Sequence, residues 1–317
     1  MSTAPTHQPT PNPAAQRVAD APSNNWVYRV LPVGLWPYAQ LARWDRPIGW
    51  WLLLWPCWWS LAMAAIHGEQ PLNLWLLALF FLGAITMRGA GCTYNDLVDH
   101  KIDMAVERTR SRPLPSGRVT RKQTVAFIAL QLVVGAAILF SFNGFAIVTG
   151  LVSIVVILAY PFAKRVTDWP QFVLGLAFSW GALLGWAAVF GSLSAAPVIL
   201  YLGSILWVIG YDTIYAHQDR EDDALVGVRS TARLFGEKTR LALSLLYGAA
   251  MLLFAIGFFL AGAGWIAFAG LALGAAQMIW QIRTIDIDDG DQCLRLFKSN
   301  SHFGWILFLG LVVDGLV

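Results

Sequence analysis

Long apolar segments separated by short polar ones dominate the chain. Nine of them approach or reach the length of about 17 to 25 residues that a helix needs to cross a bilayer. They cover residues 48–66, 72–95, 121–140, 145–162, 169–190, 195–216, 241–260, 265–281 and 302–317. Lipid offers no hydrogen-bond partners to the backbone, so only helices and closed barrels span it. The pattern predicts an all-α, polytopic membrane helix bundle of about nine transmembrane helices.

The basic residues lie on one side of this predicted bundle. Counting faces alternately, the opposite side holds tight connections at residues 68–71, 141–144, 191–194 and 261–264, and these contain no Lys or Arg. Every Lys and Arg except Arg88 falls on the first side, and Arg88 lies within the second segment. Because positively charged loops stay on the cytoplasmic side, we expect that side and the N-terminus to be cytoplasmic. We expect an integral protein of a bacterial inner membrane.

Composition agrees with a membrane protein and excludes several other classes. The chain of 317 residues is 57% hydrophobic and 13% charged, whereas soluble domains average about 45–50% and about 25%. A net charge of +3 is too small to indicate nucleic-acid binding, and the three cysteines form no CxxC pair. Residues 1–30 are polar and predict a disordered cytoplasmic tail, followed by one membrane-embedded domain over residues 31–317. No obligate protein partner is evident.

Two acidic clusters stand about 120 residues apart, at the ends of the second and sixth segments. At about 100° per residue, Asp96, Asp99 and Asp103 fall within about 60° of one another on a helix. Asp212, Tyr215, Asp219 and Asp223 form a second stripe of similar width. An even number of segments separates the clusters, so both emerge on the basic face. Asp99 and Asp103 align with Asp219 and Asp223, a weak hint of duplicated helix pairs.

Two acidic stripes facing one cavity would repel each other unless a cation lies between them. Mg²⁺ fits, because it binds one or two carboxylates and completes its coordination with waters and substrate phosphates. The same face carries bases suited to phosphate oxygens, namely Arg108, Arg110, Arg112, Lys164 and Arg165. The alternative is that these acids and bases are solvated helix ends that only set the topology. Matched spacing on one face favours a diphosphate site.

Arg88 and Arg46 are further candidates for binding an anionic substrate. Arg88 shares the stripe of Asp99 and lies about 16 Å deeper in the membrane, where a charge costs about 2.5–3.5 kcal/mol. It should therefore face the cavity, either to hold an anionic substrate group or to pair with neighbouring helices. Arg46 precedes the first segment and could equally extend to the membrane interface.

Several motifs together resemble the UbiA-type membrane prenyltransferases, especially the members that prenylate 4-hydroxybenzoate in ubiquinone synthesis. The likeness covers nearly the whole chain after about residue 40. It includes residues 45–49 (DRPIG), 87–92 (MRGAGC), 95–103 (NDxxDxxxD), 108–109 (RT), 112–117 (RPLPSG), 160–165 (YPFAKR) and 211–223, which contain YDT and YxxxDxxxD.

This resemblance implies a fold, a reaction and a set of site residues. The helices should surround a central cavity, and Mg²⁺ should be the cofactor. The reaction would move a polyprenyl group from polyprenyl diphosphate to the ring carbon ortho to the hydroxyl of 4-hydroxybenzoate. The expected metal ligands are Asn95, Asp96, Asp99, Asp103, Asp219 and Asp223, of which Asp99, Asp103, Asp219 and Asp223 would be catalytic. The expected substrate-binding residues are Arg46, Arg88, Lys101, Arg108, Arg112, Lys164, Arg165 and Tyr215.

Other readings of the sequence remain open. Enzymes of other quinone branches share the acidic motifs, so 1,4-dihydroxy-2-naphthoate is an alternative acceptor. A cation-coupled transporter is a rival class, although its sites usually lie near the bilayer midplane. A CDP-alcohol phosphotransferase also uses acidic membrane motifs, but its glycine-arginine signature is not visible.

Overall fold

The computed structural model describes residues 17–19, 21–22, 24–107, 109–220 and 227–317. Across these ranges the chain forms helices and no strand, which confirms the all-α prediction. The described residues contain nine helices long and apolar enough to cross a membrane. They are α1 Ile48–His67, α2 Leu74–Val98, α3 Arg121–Leu139, α4 Gly144–Val166, α5 Pro170–Phe190, α6 Ala195–Ala216, α7 Thr239–Ala261, α8 Trp265–Thr284 and α9 Gly290–Asp314.

Capping residues explain where many of these helices begin. The side chains of Asn73 and Asn143 accept hydrogen bonds from backbone N–H groups in the first turns of α2 and α4. Thr120 and Gln123 form a reciprocal capping box at the start of α3. Each cap satisfies donors that the helix itself leaves without partners. The tight connections predicted from the sequence are therefore also the points where the chain can reverse direction.

The ninth helix begins earlier than the sequence pattern predicts. The apolar segment starts at residue 302, but α9 starts at Gly290, where the side chain of Asp289 caps it. Its first half is polar, so an apolar-length criterion misses it. Asn300 is nevertheless fully buried, and its side-chain oxygen accepts a hydrogen bond from the Trp207 indole at 2.9 Å. Ser299 and Asn300 are thus buried against protein, whereas Arg295 and Lys298 in the same half are exposed.

The nine helices form a closed ring. Each helix contacts the next along the chain, and α9 returns to contact α1. Large aromatic side chains fill much of the interior, including the fully buried Trp55, Trp59 and Trp207. α1 and α5 approach closely because small residues lie between them: a Cβ added at Gly185 would come within 2.7 Å of the Cys57 carbonyl oxygen. The ring leaves a cavity bounded mainly by α1–α6 and α9.

Ordered structure begins before the predicted domain boundary at residue 31. Short helices Trp26–Val30 and Trp36–Leu41 precede α1, and the side chain of Val27 is fully buried. Residues 26–30 of the predicted tail are therefore helical, because Val27 packs with Trp36 and Ala39 in a small buried cluster before α1. The prediction for residues 1–16 lies outside the described residues.

Candidate active site

A cavity of about 890 Å³ lies inside the helix ring, as the sequence resemblance implied. One end is polar and is lined by side chains at the ends of α2, α6 and α9, including Asn95, Tyr215 and Lys298. The rest is mainly apolar and is walled by α1 to α5. A polar mouth joined to an apolar chamber suits a ligand that carries charge at one end and hydrocarbon at the other.

The first acidic motif is buried where α2 ends. Asp96 lies in the last turn of α2, Asp99 ends it, and Asp103 follows in the short helix His100–Ala105. Their relative exposures are 0%, 1% and 6%, so none is a solvated helix end. Arg112 joins two of them, with its Nη1 at 3.2 Å from an oxygen of Asp96 and 3.2 Å from an oxygen of Asp103. The predicted acidic stripe is therefore one connected cluster.

Basic side chains from two further parts of the chain also neutralise this cluster. The Arg43 guanidinium lies 2.6 Å from Asp96. Lys164 and Arg165, at the end of α4, contact the two oxygens of Asp99 at 2.5 and 3.0 Å. Buried carboxylates require such partners, because an unpaired buried charge is costly. The predicted phosphate-binding bases are thus already next to the predicted metal ligands.

The pKa of the Asp103 carboxyl group reflects its burial next to other carboxylates. Burial raises its pKa above the ordinary value, and the neighbouring Asp96 and Asp99 raise it further. Arg112 and Lys164 lower this pKa without cancelling the effect of burial. An additional cation near the cluster would therefore stabilise the ionised carboxylates.

The first motif fits a hard divalent cation in its chemistry. Oδ2 of Asp96 is buried and has no hydrogen-bond partner among the described residues. The other oxygen, Oδ1, forms ion pairs with both Arg43 and Arg112. Within the described ranges no three His, Cys, Asp or Glu side chains already converge as a metal cage. Mg²⁺ does not need one, since one or two carboxylates, waters and substrate phosphates complete its shell.

Residues of the second motif border the same cavity as the end of the first. Tyr215 and Gln218 line the cavity together with Asn95, and the Tyr215 ring packs on Phe297 with centroids 4.6 Å apart. The backbone N–H of Arg229, which follows this motif, donates to the Lys164 carbonyl at 3.2 Å. The chain around the second motif therefore lies on the same face of the bundle as Lys164 and Arg165.

Arg88 is a cation deep in the cavity wall. Its guanidinium carbon lies 5.0 Å from the centroid of the Phe178 ring, and a Cβ at Gly49 would come within 2.7 Å of its Nε. Nε is buried without a hydrogen-bond partner, and no carboxylate of the described chain forms an ion pair with this arginine. The structural alternative from the sequence, an ion pair with a neighbouring helix, does not occur among these residues.

Comparison with known protein families decides the class of this protein. Residues 53–309 match the model of the "UbiA prenyltransferase family". The chain belongs to the UbiA prenyltransferase family. It is therefore an integral membrane member of a prenyltransferase family, and the family resemblance read from its motifs is confirmed.

Named relatives of this UbiA protein share most of its length. It is 48% identical to the "4-hydroxybenzoate polyprenyltransferase, mitochondrial" of Arabidopsis thaliana, over 91% of this chain and 71% of the relative. It is 42% identical to the "4-hydroxybenzoate geranyltransferase 2" of Lithospermum erythrorhizon, over 92% of this chain and 95% of that protein.

Solved structures show the same UbiA fold. An apo UbiA homolog from Aeropyrum pernix K1 matches with a TM-score of 0.70 and 27% identity, over 83% of this chain and 97% of that one. A UbiA homolog from Archaeoglobus fulgidus, described as bound to DMAPP and Mg²⁺, matches with a TM-score of 0.59 and 17% identity, over 86% and 99%. The second likeness concerns the fold alone.

The remaining predicted site residues fall into four groups. Arg46 and Arg112 line the cavity of this UbiA protein, although Arg46 also contacts Asp45 at 3.2 Å. Asp219 ends the helical turn after α6 and has a partner in the structure. Lys101 is exposed and does not line the cavity, so its predicted role receives no support from its position. Arg108 and Asp223 lie outside the described residues.

Sequence reasoning missed Arg43 and Asp212 as site residues of this UbiA fold. Arg43 adopts a φ of 58°, in the left-handed region that non-glycine residues rarely occupy, and its side chain reaches back to the buried Asp96. Asp212 lines the cavity. The position of Asp212 in the second acidic stripe could have identified it as a site residue, whereas no local sequence pattern predicts the turn at Arg43.

Proposed function

We propose that this protein transfers a polyprenyl group from polyprenyl diphosphate to the ring carbon ortho to the hydroxyl of 4-hydroxybenzoate, in a Mg²⁺-dependent reaction of ubiquinone biosynthesis. The single observation that carries the acceptor is Arg88, a half-buried cation that faces the cavity and forms no ion pair with a carboxylate among the described residues, although Asp212 is near enough to interact with its charge. The names of the relatives support the same acceptor.

A benzoate carboxylate would satisfy Arg88. A charge within the membrane interior is costly without a counter-ion, and a planar guanidinium pairs with a carboxylate through two parallel hydrogen bonds. The Phe178 ring already stacks against one face of this guanidinium, and Gly49 leaves room on its other side. These neighbours hold the guanidinium in place, so an acceptor bound through its carboxylate would place its hydroxyl nearer the cavity mouth.

The polar mouth would hold the diphosphate of the donor. Asn95, Asp96, Asp99, Asp103 and Asp219 would hold Mg²⁺, together with Asp223 in the part of the chain outside the described residues. When bound, the metal would act as a Lewis acid on the leaving diphosphate. Arg112, Lys164 and Arg165 would bind phosphate oxygens, since cationic donors pair strongly with them. We also propose Tyr215, Arg46, Arg108 and Lys101 as diphosphate or substrate contacts.

The apolar part of the cavity would take the prenyl chain. Leu132 of α3 and Leu151 and Ile154 of α4 line the cavity and are also exposed by 45%, 45% and 41%. Exposed apolar side chains at this part of the cavity wall favour an opening between α3 and α4 toward lipid. A long hydrocarbon could therefore extend from the cavity into the bilayer without leaving an apolar environment.

The reaction follows from this arrangement of residues. As the allylic C–O bond of the donor breaks, the ortho carbon of the ring, positioned through Arg88, would form the new C–C bond. The surrounding helices exclude water, which would otherwise capture the prenyl cation as an alcohol. Aromatic rings such as Tyr160 line the same chamber, and the negative face of such a ring would stabilise a developing cation.

The other quinone branch is the second candidate function. 1,4-Dihydroxy-2-naphthoate also carries a carboxylate and a phenolic hydroxyl, so Arg88 alone could bind the carboxylate of either acceptor. Both relatives are named for 4-hydroxybenzoate, which favours that acceptor. We further propose a bacterial inner-membrane location with the cavity mouth on the cytoplasmic side, because the mouth lies on the basic face.

An assay with purified or membrane-embedded protein tests the proposal. Membranes that carry the protein are incubated with labelled 4-hydroxybenzoate, geranyl diphosphate or a longer polyprenyl diphosphate, and Mg²⁺, with and without EDTA. We expect a 3-prenylated 4-hydroxybenzoate that is lost on chelation and restored by Mg²⁺. Preference for 1,4-dihydroxy-2-naphthoate would move the protein to the other branch, and product formation indifferent to EDTA would contradict the metal-dependent reaction.

An Arg88→Gln variant tests the acceptor site separately. Hydrogen bonds to a charged group contribute about 1.5–3 kcal/mol, so KM for 4-hydroxybenzoate should rise about 10- to 100-fold, with little change in KM for the prenyl diphosphate. Arg283→Gln, at an exposed position at the end of α8, is the matched control and should leave both values unchanged. An unchanged KM for the acceptor in Arg88→Gln would exclude Arg88 as its anchor.

A further inference from the structure

Asp212 is a cavity carboxylate outside the two metal-binding motifs. It lies on α6 seven residues, or two helical turns, before Asp219, and its side chain lines the cavity. No Lys or Arg in the described ranges forms an ion pair with it. It differs in this respect from Asp96, Asp99 and Asp103, whose oxygens are held by basic side chains. The carboxylate oxygens of Asp212 are therefore available to a substrate in the cavity.

The surroundings of this carboxylate include the fixed amide of Gln171. Oε1 of Gln171 accepts the backbone N–H of Thr231 at 3.0 Å. Its amide nitrogen is therefore the part of Gln171 that can donate, and the side chain of Asp212 is close enough to interact with it. Gln171 lies in the first turn of α5 and is buried, so packing and the bond from Thr231 hold its amide group in place. A fixed amide donor beside a carboxylate limits the positions that the carboxylate can adopt.

Asp212 lies on the same cavity as Arg88 and fewer residues from its own motif. Arg88 precedes Asp99 by eleven residues and Asp212 precedes Asp219 by seven, which corresponds to about 16 Å and about 10 Å of helix rise. Both side chains line the cavity, and they are close enough for their charges to interact. With the carboxylate of 4-hydroxybenzoate on Arg88, Asp212 would therefore be the cavity carboxylate near the bound ring.

The other polar groups around Asp212 are poor proton acceptors. Arg88 of α2, Tyr160 of α4 and Tyr211 of α6 are the groups whose charges or hydroxyls are close enough to interact with it, besides the Gln171 amide. A guanidinium has no acceptor lone pair, and neutral hydroxyls and amides accept protons weakly. A carboxylate is the only conventional base among these neighbours in the described part of the chain.

On the basis of the proposed function, we propose that Asp212 is the catalytic base that accepts the phenolic proton of the acceptor. As the allylic C–O bond breaks and diphosphate leaves, the ortho carbon forms the C–C bond. At the same time the O–H proton passes to the Asp212 carboxylate, which gives a neutral dienone. The ring carbon then loses its hydrogen as a proton to the released diphosphate, and Asp212 returns its proton to the oxygen. The phenol is restored and all atoms balance.

Asp212→Asn tests this role, because the amide keeps the size of the side chain and can still bond to Gln171. General-base catalysis typically contributes about 10²- to 10⁴-fold, so kcat should fall at least about 100-fold while KM for 4-hydroxybenzoate changes less than about threefold. Asp168→Asn, at an exposed carboxylate on the same face, should retain the wild-type kcat. A kcat of Asp212→Asn within about threefold of wild type would overturn the proposal.

A more acidic acceptor separates the base from a purely structural role. 3-Fluoro-4-hydroxybenzoate keeps one free ortho carbon, and fluorine makes its phenol ionise more readily. The ratio of wild-type to Asp212→Asn rates should therefore be about tenfold smaller with the fluorinated acceptor than with 4-hydroxybenzoate. An equal ratio for both acceptors would mean that Asp212 only shapes the cavity, and would overturn the proposed proton transfer.

A second pair of variants guards against a folding defect. The side chains in Asp212→Glu and Asp212→Gln have the same length, and only the first carries a carboxylate. If a base is needed, prenyl transfer by the Glu variant should be at least about tenfold faster than by the Gln variant. Binding of geranyl diphosphate with Mg²⁺, followed as a rise in melting temperature in detergent, should be preserved in both. Failure of the wild-type protein to form product would reject the proposed function itself. Equal rates of the two variants with an active wild type would reject the role of Asp212 alone.

Discussion

At the scale of single residues, the acidic motif depends on arginines from distant parts of the chain. Arg43 and Arg112 share one oxygen of Asp96, at 2.6 and 3.2 Å. Arg43 also donates to the Gln40 carbonyl at 2.7 Å. Through its two contacts, with Gln40 and with Asp96, its side chain ties the segment before α1 to the end of α2. Because Asp96 is fully buried, its charge depends on these two partners.

Removal of Arg43 should therefore destabilise the protein. Arg43→Ala should lower the free energy of unfolding by about 3 kcal/mol, at the lower end of the range for one partner of a buried ion pair, because Arg112 remains. The measurement is the thermal unfolding midpoint of detergent-solubilised protein. Arg110→Ala is the control, since its ion pair with Glu107 is exposed by 63% and 86% and should contribute less than about 1 kcal/mol. Equal melting temperatures for the two variants would contradict the structural role of Arg43.

Part of the residue-level picture could be read from the sequence. The clustering of Asp96, Asp99 and Asp103 follows from helical spacing, and the structure buries all three together. Arg88 was expected to face a cavity because lipid would not tolerate its charge, and it does. The pairing of Arg43 with Asp96 could not be predicted, because it crosses more than fifty positions and depends on a left-handed turn.

At the scale of helices, close packing of α1 on α5 shapes the cavity wall. Gly181 and Gly185 face α1 one turn apart, and both would place an added Cβ against Cys57. At Gly185 the nearest atom is the backbone oxygen of Cys57, which cannot rotate away. Small residues at such positions allow membrane helices to approach closely.

Enlarging this contact should separate the two helices. Gly185→Ala should destabilise the protein by about 1–3 kcal/mol, the usual effect of overpacking, and reduce prenyl transfer by displacing the cavity wall. Gly248→Ala on α7 has open space around the new methyl group and should be neutral or stabilise by up to about 1 kcal/mol. Melting temperature and product formation are compared for both. A Gly185→Ala protein as stable and active as Gly248→Ala would show that α1 and α5 adjust freely.

At the scale of the whole molecule, the helix ring has one basic face and one nearly uncharged face. The acidic cluster, its bases and the cavity mouth all lie on the basic face. The opposite connections are short, and several begin or end at a helix cap such as Asn143 or Gly191. The positive-inside rule therefore predicts that the cavity mouth faces the cytoplasm.

Cysteine labelling tests this orientation. In a functional variant whose own cysteines are replaced by serine or alanine, Ser192→Cys lies in a connection on the uncharged face and Glu237→Cys on the basic face; both positions are exposed. In bacterial spheroplasts, a membrane-impermeant maleimide should label the cysteine at 192 directly and the cysteine at 237 only after permeabilisation. The reverse pattern would place the active face outside the cytoplasm and reject the proposed topology.

The sequence by itself determined the membrane class, the helix number and the acidic motifs, and it predicts the sidedness. These follow from local rules: apolar length, the cost of a charge in lipid, the distribution of basic loops and the period of a helix. Only the tertiary structure decided which charges pair, where α9 begins, and that Arg88 and Asp212 line one chamber. Those features depend on helices far apart in sequence, whose relative positions are set by side-chain packing around the whole ring and not by any local pattern.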